Sequence, residues 1–335
     1  MPSCPNGAFE QILHRWPVEL FDLKGSLPRR KRFIGKMVRM SIAHTLKTLA
    51  FNAMGERVRA ITGSKAKLDD FASPAGAIGL FGPESMAWQV HAHFTAMMVG
   101  GLSSLIVQSL HPRALAAVWD HSDFRHNLKA RLGRTAYFVA ATTYGSQAMA
   151  LKAIGRVNAI HANIRGTDLQ GQPYVANESE LIRWVHLVEV TSFLAAYQHL
   201  AKRPLSPREC DQYISEMSQV GHLLGAVDLP LTCASTQAEL HGFAGVLRFD
   251  SRAQEILRVI QAYPTDLLEK PWMALILKCA FDIMPPWVLA QMGKSPACEG
   301  QSQATRLAVR LSAEPVQWML NEQGVSAIAR QRVLG

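Results

Sequence analysis

Several common catalytic signatures are missing from this chain. It has no Gly-x-Ser-x-Gly elbow, no phosphate-binding loop, no His-Glu-x-x-His and no Cys-x-x-Cys. It therefore lacks the local geometry of α/β-hydrolases, P-loop enzymes, zinc metalloproteases and dithiol redox proteins. Glu-x-x-His, which builds di-iron sites in helical bundles, is absent as well. Cysteine is sparse: Cys4, Cys210, Cys233, Cys279 and Cys298 are odd in number and widely scattered. They read as reduced thiols rather than as a disulfide framework or a metal site. Charged residues make up only 18% and hydrophobic ones 48%, a balance that argues against disorder and for a large buried core. The N-terminal residues MPSCPNGAFEQILHRW lack the basic-then-apolar pattern of an export signal, so a cytoplasmic protein is expected. The net charge of +9 is moderate for 335 residues and requires no nucleic acid as partner.

What is present is helical periodicity, with no stretch that reads convincingly as a strand. Residues 8–23 form a short amphipathic pattern. Leu23 to Gly55 then holds eight Lys or Arg and no acid, including Arg29-Arg30-Lys31-Arg32. Residues 24–52 could lie on an anionic membrane, or form a basic helix with its charges in water. Residues 62–83 read as loop, and Gly76, Gly79 and Gly82 have the wrong spacing for a dinucleotide turn.

Residues 84–110 read as one long helix, apolar nearly all round and so buried, ended by His111-Pro112. Gly100-Gly101 in its middle costs helix stability and implies close approach by another helix or a flat ligand. A short helix through Trp119 follows, with Pro112 in its first turn. Two helices then run from Leu128 to Gly166, with Gly166 as C-cap. TDLQGQPY reads as a turn or small hairpin. A helix capped by Asn177 or Ser179 carries Trp184, His186, Glu189 and Thr191. Helices are expected at 207–224, 235–247, 251–262, 271–292, 303–320 and 323–332, the Pro285-Pro286 pair splitting the fourth of these into two packed helices. The expected fold is all-α, with an N-terminal basic helical segment over 1–62 and one large helical domain over 63–335.

The stretch LKARLGRTAYFVAATTYGSQAMALKAIGRVNAIHANIRG, residues 128–166, holds the candidate chemistry. Arg131 and Thr135 stand four apart, on one helix face. His161 sits on a face otherwise made of Ile154, Val157 and Ile164. One imidazole in an apolar wall, with a few polar groups nearby, is the set of parts a haem pocket needs. A core histidine bonded to a carbonyl, a surface arginine and a back-bonding threonine make the same pattern. His91 and His93 are two apart and diverge on a helix.

The chain resembles the family that contains the rubber oxygenase (latex clearing protein) and the oxygenase that cleaves the farnesyl chain in mycophenolic acid synthesis. The resemblance lies in FGPESMAWQVH (81–91), GGLSSLIVQSLHPRALAAVWDHSDF (100–124), RLGRT (131–135), RVNAIHANIRGTD (156–168), PYVANESELIRWVHLVEVTSFLAAY (173–197) and MPPWVLAQMG (284–293). It implies an all-α domain with a globin-like core and non-covalently bound haem b, which agrees with the lack of a Cys-x-x-Cys-His attachment site. It further implies His161 as the axial iron ligand. Arg131 and Thr135 are implied near the haem: Arg131 pairing with a propionate or polarising oxygen, Thr135 hydrogen-bonding near the open face. The free nitrogen of His161 is expected to donate to the Val157 carbonyl. His111, His121 and His186 also fall in matching stretches and are assigned packing and hydrogen bonding.

Two departures limit the likeness. Arg134 stands where the rubber oxygenase has a lysine able to cap the iron, and an arginine does not lose its proton. No acid precedes Arg131 in the matching region; Asp120 and Asp123 are the nearest. Polyisoprene cleavage is therefore not carried over. The expected function is a haem b-dependent oxygenase acting with dioxygen on an apolar, isoprenoid-like or unsaturated small molecule. A non-enzymatic haem- or lipid-binding helical protein, peripheral to a membrane, is the alternative.

Overall fold

The computed structural model describes residues 68–263 and 269–335. The helix expected at 8–23, the basic stretch 24–52 with its membrane contact, and the segment 1–62 lie outside them. The described residues are all-α apart from one hairpin. The helices are α1 (Leu68–Ala72), α2 (Met86–His91), α3 (Phe94–Gln108), α4 (Pro112–His121), α5 (Leu128–Tyr144) and α6 (Gln147–His161). After strands β1 (Arg165–Thr167) and β2 (Pro173–Val175) come α7 (Ser179–Leu200), α8 (Pro207–Leu224), α9 (Cys233–Gly242) and α10 (Ser251–Gln261). The chain ends in α11 (Lys270–Asp282), α12 (Pro286–Gln291), α13 (Glu299–Gln323) and α14 (Val325–Leu334). Pro285-Pro286 divides α11 from α12 as expected, since proline cannot continue a helix but suits the first turn of the next.

The centre of the core is the long contact between α3 and α7. Both bury apolar side chains nearly all round; Val99, Leu102 and Ile106 of α3 and Leu187, Val190 and Phe193 of α7 are buried in one core. Trp184 on α7 is fully buried, and its indole nitrogen donates to the Gln108 carbonyl at the end of α3 over 3.2 Å. That bond satisfies an otherwise orphaned helix-terminal acceptor. Gly100 lets the two backbones approach. A Cβ there would stand 2.8 Å from the Ser192 carbonyl oxygen and 2.9 Å from Phe193 Cα. Of the two reasons for a mid-helix glycine, close helix packing is the one found.

Four local readings are corrected. Residues 84–110 are two helices, because the His93 ring nitrogen accepts from Ala96 N and caps a fresh helix at Phe94. Leu68–Ala72 is helix rather than loop, held by the fully buried Phe71. Gly166 is not a helix cap: α6 ends at His161 and is capped by Ala162, and Gly166 pairs with Tyr174 across the hairpin. The cap position of α7 is Glu178 and makes no side-chain capping bond. The hairpin turn is set by Asp168, whose Oδ1 accepts from Gln170 N and Gln172 N, and by Gly171 at φ 76°. Among the described residues no single helix is long and apolar enough to cross a membrane.

Candidate functional site

A cavity lies among α3, α4, α5, α7, α8 and α10, with the end of α6 in its wall. About 190 Å³ of it admits the centres of water-sized molecules, and its atom-free space, open side included, is about 1140 Å³. Leu105, Leu115, Phe138, Val185, Val220 and Ile256 give it apolar walls. The ionisable side chains in the lining are Arg131, His161, His186 and Glu189.

Asn127 starts α5 by accepting from Ala130 N, which places Arg131 in the first turn. From there Arg131, Phe138, Val139 and Thr142 recur at helical spacing and face the cavity. The α5–α6 turn is short. Gly145 follows the last residue of α5, and the Ser146 hydroxyl accepts from Met149 N to start α6. The two helices then pack side by side. This return brings His161, the last residue of α6, beside Arg131; the guanidinium charge is one of the two influences on the imidazole. The hairpin follows, tied back by Ala176 N donating to the Ile164 carbonyl, and Ala176 joins the lining.

Arg131 is set among protein atoms with one hydrogen bond, from Nη1 to Ser122 Oγ at 3.3 Å. No carboxylate among the described residues pairs with it. Burial, and secondly the charge of Arg134, bring its pKa down to about 10, so it remains a cation at neutral pH. A cation held in a low-dielectric wall without a counter-ion favours an anion there. His161 is lowered by burial first and by Arg131 second, which keeps the ring neutral and competent as a ligand. Its Nδ1 is buried and has no hydrogen-bond partner. The expected bond to the Val157 carbonyl is thus not made. A buried nitrogen left bare costs about 1–3 kcal/mol and calls for a partner.

Thr135 is one turn beyond Arg131, but it is exposed and outside the lining, and its hydroxyl donates to the Arg131 carbonyl at 3.3 Å. The structure therefore joins Arg131 and His161 and leaves Thr135 apart. His121 is exposed, with Nε2 3.3 Å from the Arg165 carbonyl. His111 caps α4, accepting from Ala114 N. His91 is buried between Thr143 Oγ1 at 2.7 Å and the Tyr213 hydroxyl at 3.0 Å, and burial lowers it to about 3. His91, His111 and His121 are thus occupied structurally.

His186 and Glu189 are the site residues that the sequence reading did not bring in. They stand three apart on α7 and both line the cavity. The His186 ring rests on Gly221 of α8, where a Cβ would lie 2.9 Å from Cδ2. Burial, then the charge of His222, lowers His186 to about 4. Glu189 makes no hydrogen bond or ion pair with a described residue, and burial alone pushes its carboxyl up to about 7. The available signal was an acid between Val188 and Val190, in the apolar middle of a helix whose other acid, Glu180, lies in its first turn.

Among the described residues no group of three or more His, Cys, Asp or Glu could hold a bare metal ion. A porphyrin brings four nitrogens of its own and asks the protein for one imidazole, an apolar pocket and cations for its carboxylates. The donor set of this cavity fits that request. In comparisons with known proteins, residues 88–317 match the family described as ER-bound oxygenase mpaB/B'/Rubber oxygenase, catalytic domain. No curated protein and no solved structure matches the chain.

Proposed function

The chain belongs to the family of the mpaB and rubber oxygenase catalytic domains, and from that membership we propose that its cavity is the site of a haem b-dependent oxygenase acting on an apolar, unsaturated or isoprenoid-like molecule. The observation that carries the reading is the neutral His161, with an unpartnered buried nitrogen, beside a half-buried Arg131 that pairs with no described carboxylate, in an apolar wall.

Haem, when bound, supplies the iron at which dioxygen is activated. His161 holds the iron through its neutral imidazole. Arg131 neutralises a propionate, for which the guanidinium fork is suited. The apolar walls keep water out and accept the hydrocarbon part of a substrate, and oxidation by dioxygen needs that exclusion to stay on the substrate.

The test is the absorption spectrum of the purified full chain. A Soret band that shifts with carbon monoxide is expected, and His161→Ala is expected to lose most of it. Arg131→Ala should weaken haem retention with helix content near normal, whereas His186→Ala should keep the band. Wild-type protein without a Soret band, or a full unshifted band in His161→Ala, overturns the reading. Thr135→Val is expected to leave both haem content and oxygen uptake as they are, since its hydroxyl is committed to the Arg131 carbonyl. A marked fall in oxygen uptake at equal haem loading would bring Thr135 back to the reaction.

A further inference from the structure

The polar side chains of the cavity fall into two separate groups. His161 and Arg131 influence each other. Glu189 is perturbed by burial alone, with no contribution from Arg131 or His161, so it is not the missing counter-ion of that pair. It keeps some accessible surface while enclosed by protein, as a side chain opening on an internal cavity does. Around it the lining is Val185, Val190, Met217 and Val220, which offer no hydrogen-bond donor. Of the neighbouring polar groups, the Tyr213 hydroxyl is close enough for the Glu189 charge to raise it, but it lies 3.0 Å from His91 Nε2 and makes no hydrogen bond to Glu189. Thr142 gives its hydroxyl proton to the carbonyls of Phe138 and Val139. Gln108 gives its amide protons to Ser104 Oγ and the Val185 carbonyl. His186 makes no hydrogen bond to a described residue. An acceptor of this strength, enclosed and without a protein donor among the described residues, calls for a hydrogen-bond donor.

We infer that Glu189 is the specificity-determining anchor of the cavity and receives the hydrogen-bond donor at one end of an otherwise apolar substrate, a terminal hydroxyl or amine. The inference rests on reading this cavity as the oxygenase's substrate site. It narrows the substrate class from apolar molecules in general to amphiphiles with a single donor head. The carboxylate accepts from the head while the aliphatic body lies along the Leu105, Phe138 and Ile256 walls. A group fixed at one end sets which carbon of the chain is presented to the oxidising centre, so Glu189 acts on regiochemistry through position. A carboxylate head is excluded by like charge, and a pure hydrocarbon leaves the acceptor unmatched.

The experiment is calorimetric titration of the full chain at pH 8 with three probes of one size, 1-octanol, n-octylamine and 2-octanone. The cavity exceeds the ~150 Å³ that admits a benzene ring, so probes of this size are suitable. Wild-type protein is expected to bind the alcohol or the amine roughly tenfold tighter than the ketone, which has no donor. Preference for the amine over the alcohol makes the head cationic; the reverse makes it a hydroxyl. Glu189→Leu should abolish the preference and bind the ketone at least as well. Glu189→Gln, whose amide oxygen still accepts, should keep a reduced preference for the alcohol and checks that the fold is retained. Equal affinities for all three probes in wild type, or an undiminished preference in Glu189→Leu, overturns the inference. The Soret band of the same samples separates the two readings. Donor preference without haem sinks the haem assignment alone, and haem without donor preference sinks the anchor alone.

Discussion

Gly100→Val is expected to cost about 3–5 kcal/mol of stability, whereas Gly101→Ala, one residue on, should cost nothing or add up to about 1 kcal/mol. The difference comes from what each added carbon meets. At Gly100 it meets backbone, the Ser192 carbonyl oxygen at 2.8 Å and Phe193 Cα at 2.9 Å, and backbone cannot step aside. The two most extensively packed helices, α3 and α7, would have to separate along their length, opening contacts on both sides of the crossing. At Gly101 the nearest atom is Phe193 Cε1 at 3.8 Å, an ordinary contact, so alanine gains helix propensity without displacing anything. Urea unfolding of both variants beside wild type measures this. Similar stabilities for the two would mean that the α3–α7 distance is not fixed by Gly100. Because α7 also carries His186 and Glu189, any Gly100 variant that folds should disturb probe binding too.

The helices were legible because their apolar spacing and their caps are local. Pro112 in a first turn and Pro285-Pro286 as a break both act within a few residues. The break at His93 was not legible. Histidine is an unusual cap, and the flanking residues are apolar on every side, so the periodicity runs through it. Arg131 and His161 were legible through their motifs and through the isolation of His161 on an apolar face. The missing bond from His161 Nδ1 was not, since backbone carbonyls within one turn were available to it in any helical reading. Thr135 shares a helical stripe with Arg131 in sequence, yet the cavity is bounded by tertiary contacts that pass it by. That His186 and Glu189 share this cavity was not legible for the same reason. On α7 alone they are two polar residues at i and i+3 on a core helix. Only the packing of α3, α5 and α8 around them makes an enclosed space that they face.

Glu189→Gln is expected to stabilise the protein by an amount that grows with pH. Burial holds the Glu189 carboxyl at about 7 in the folded state, against about 4.5 when the chain is unfolded. Between those values the folded protein keeps a proton that the unfolded chain has released, so stability falls as pH rises. The contribution is intact below pH 4.5, and about 3 kcal/mol is lost by the time pH exceeds 7. Glutamine removes that ionisation. The variant and wild type should therefore melt together near pH 4 and diverge to roughly 5–10 °C at pH 8. His91 and His186 act in the opposite sense. Their folded values, about 3 and about 4, lie below the usual 6.5, so they withdraw stability as pH falls through that range. Both proteins share this loss, and it cancels in the difference, because near pH 4 the folded Glu189 carboxyl is protonated and neutral. Tyr213, raised well above its ordinary value by burial and by the Glu189 charge, stays protonated throughout and leaves the comparison untouched. Saturating 1-octanol should shrink the gap at pH 8, because its hydroxyl would donate to the wild-type carboxylate. Melting curves of the two proteins from pH 4 to 8, with and without the alcohol, carry the test. A constant difference across that range would mean that the Glu189 carboxyl reaches water, and the cavity would lose the one acceptor that gives it a preference.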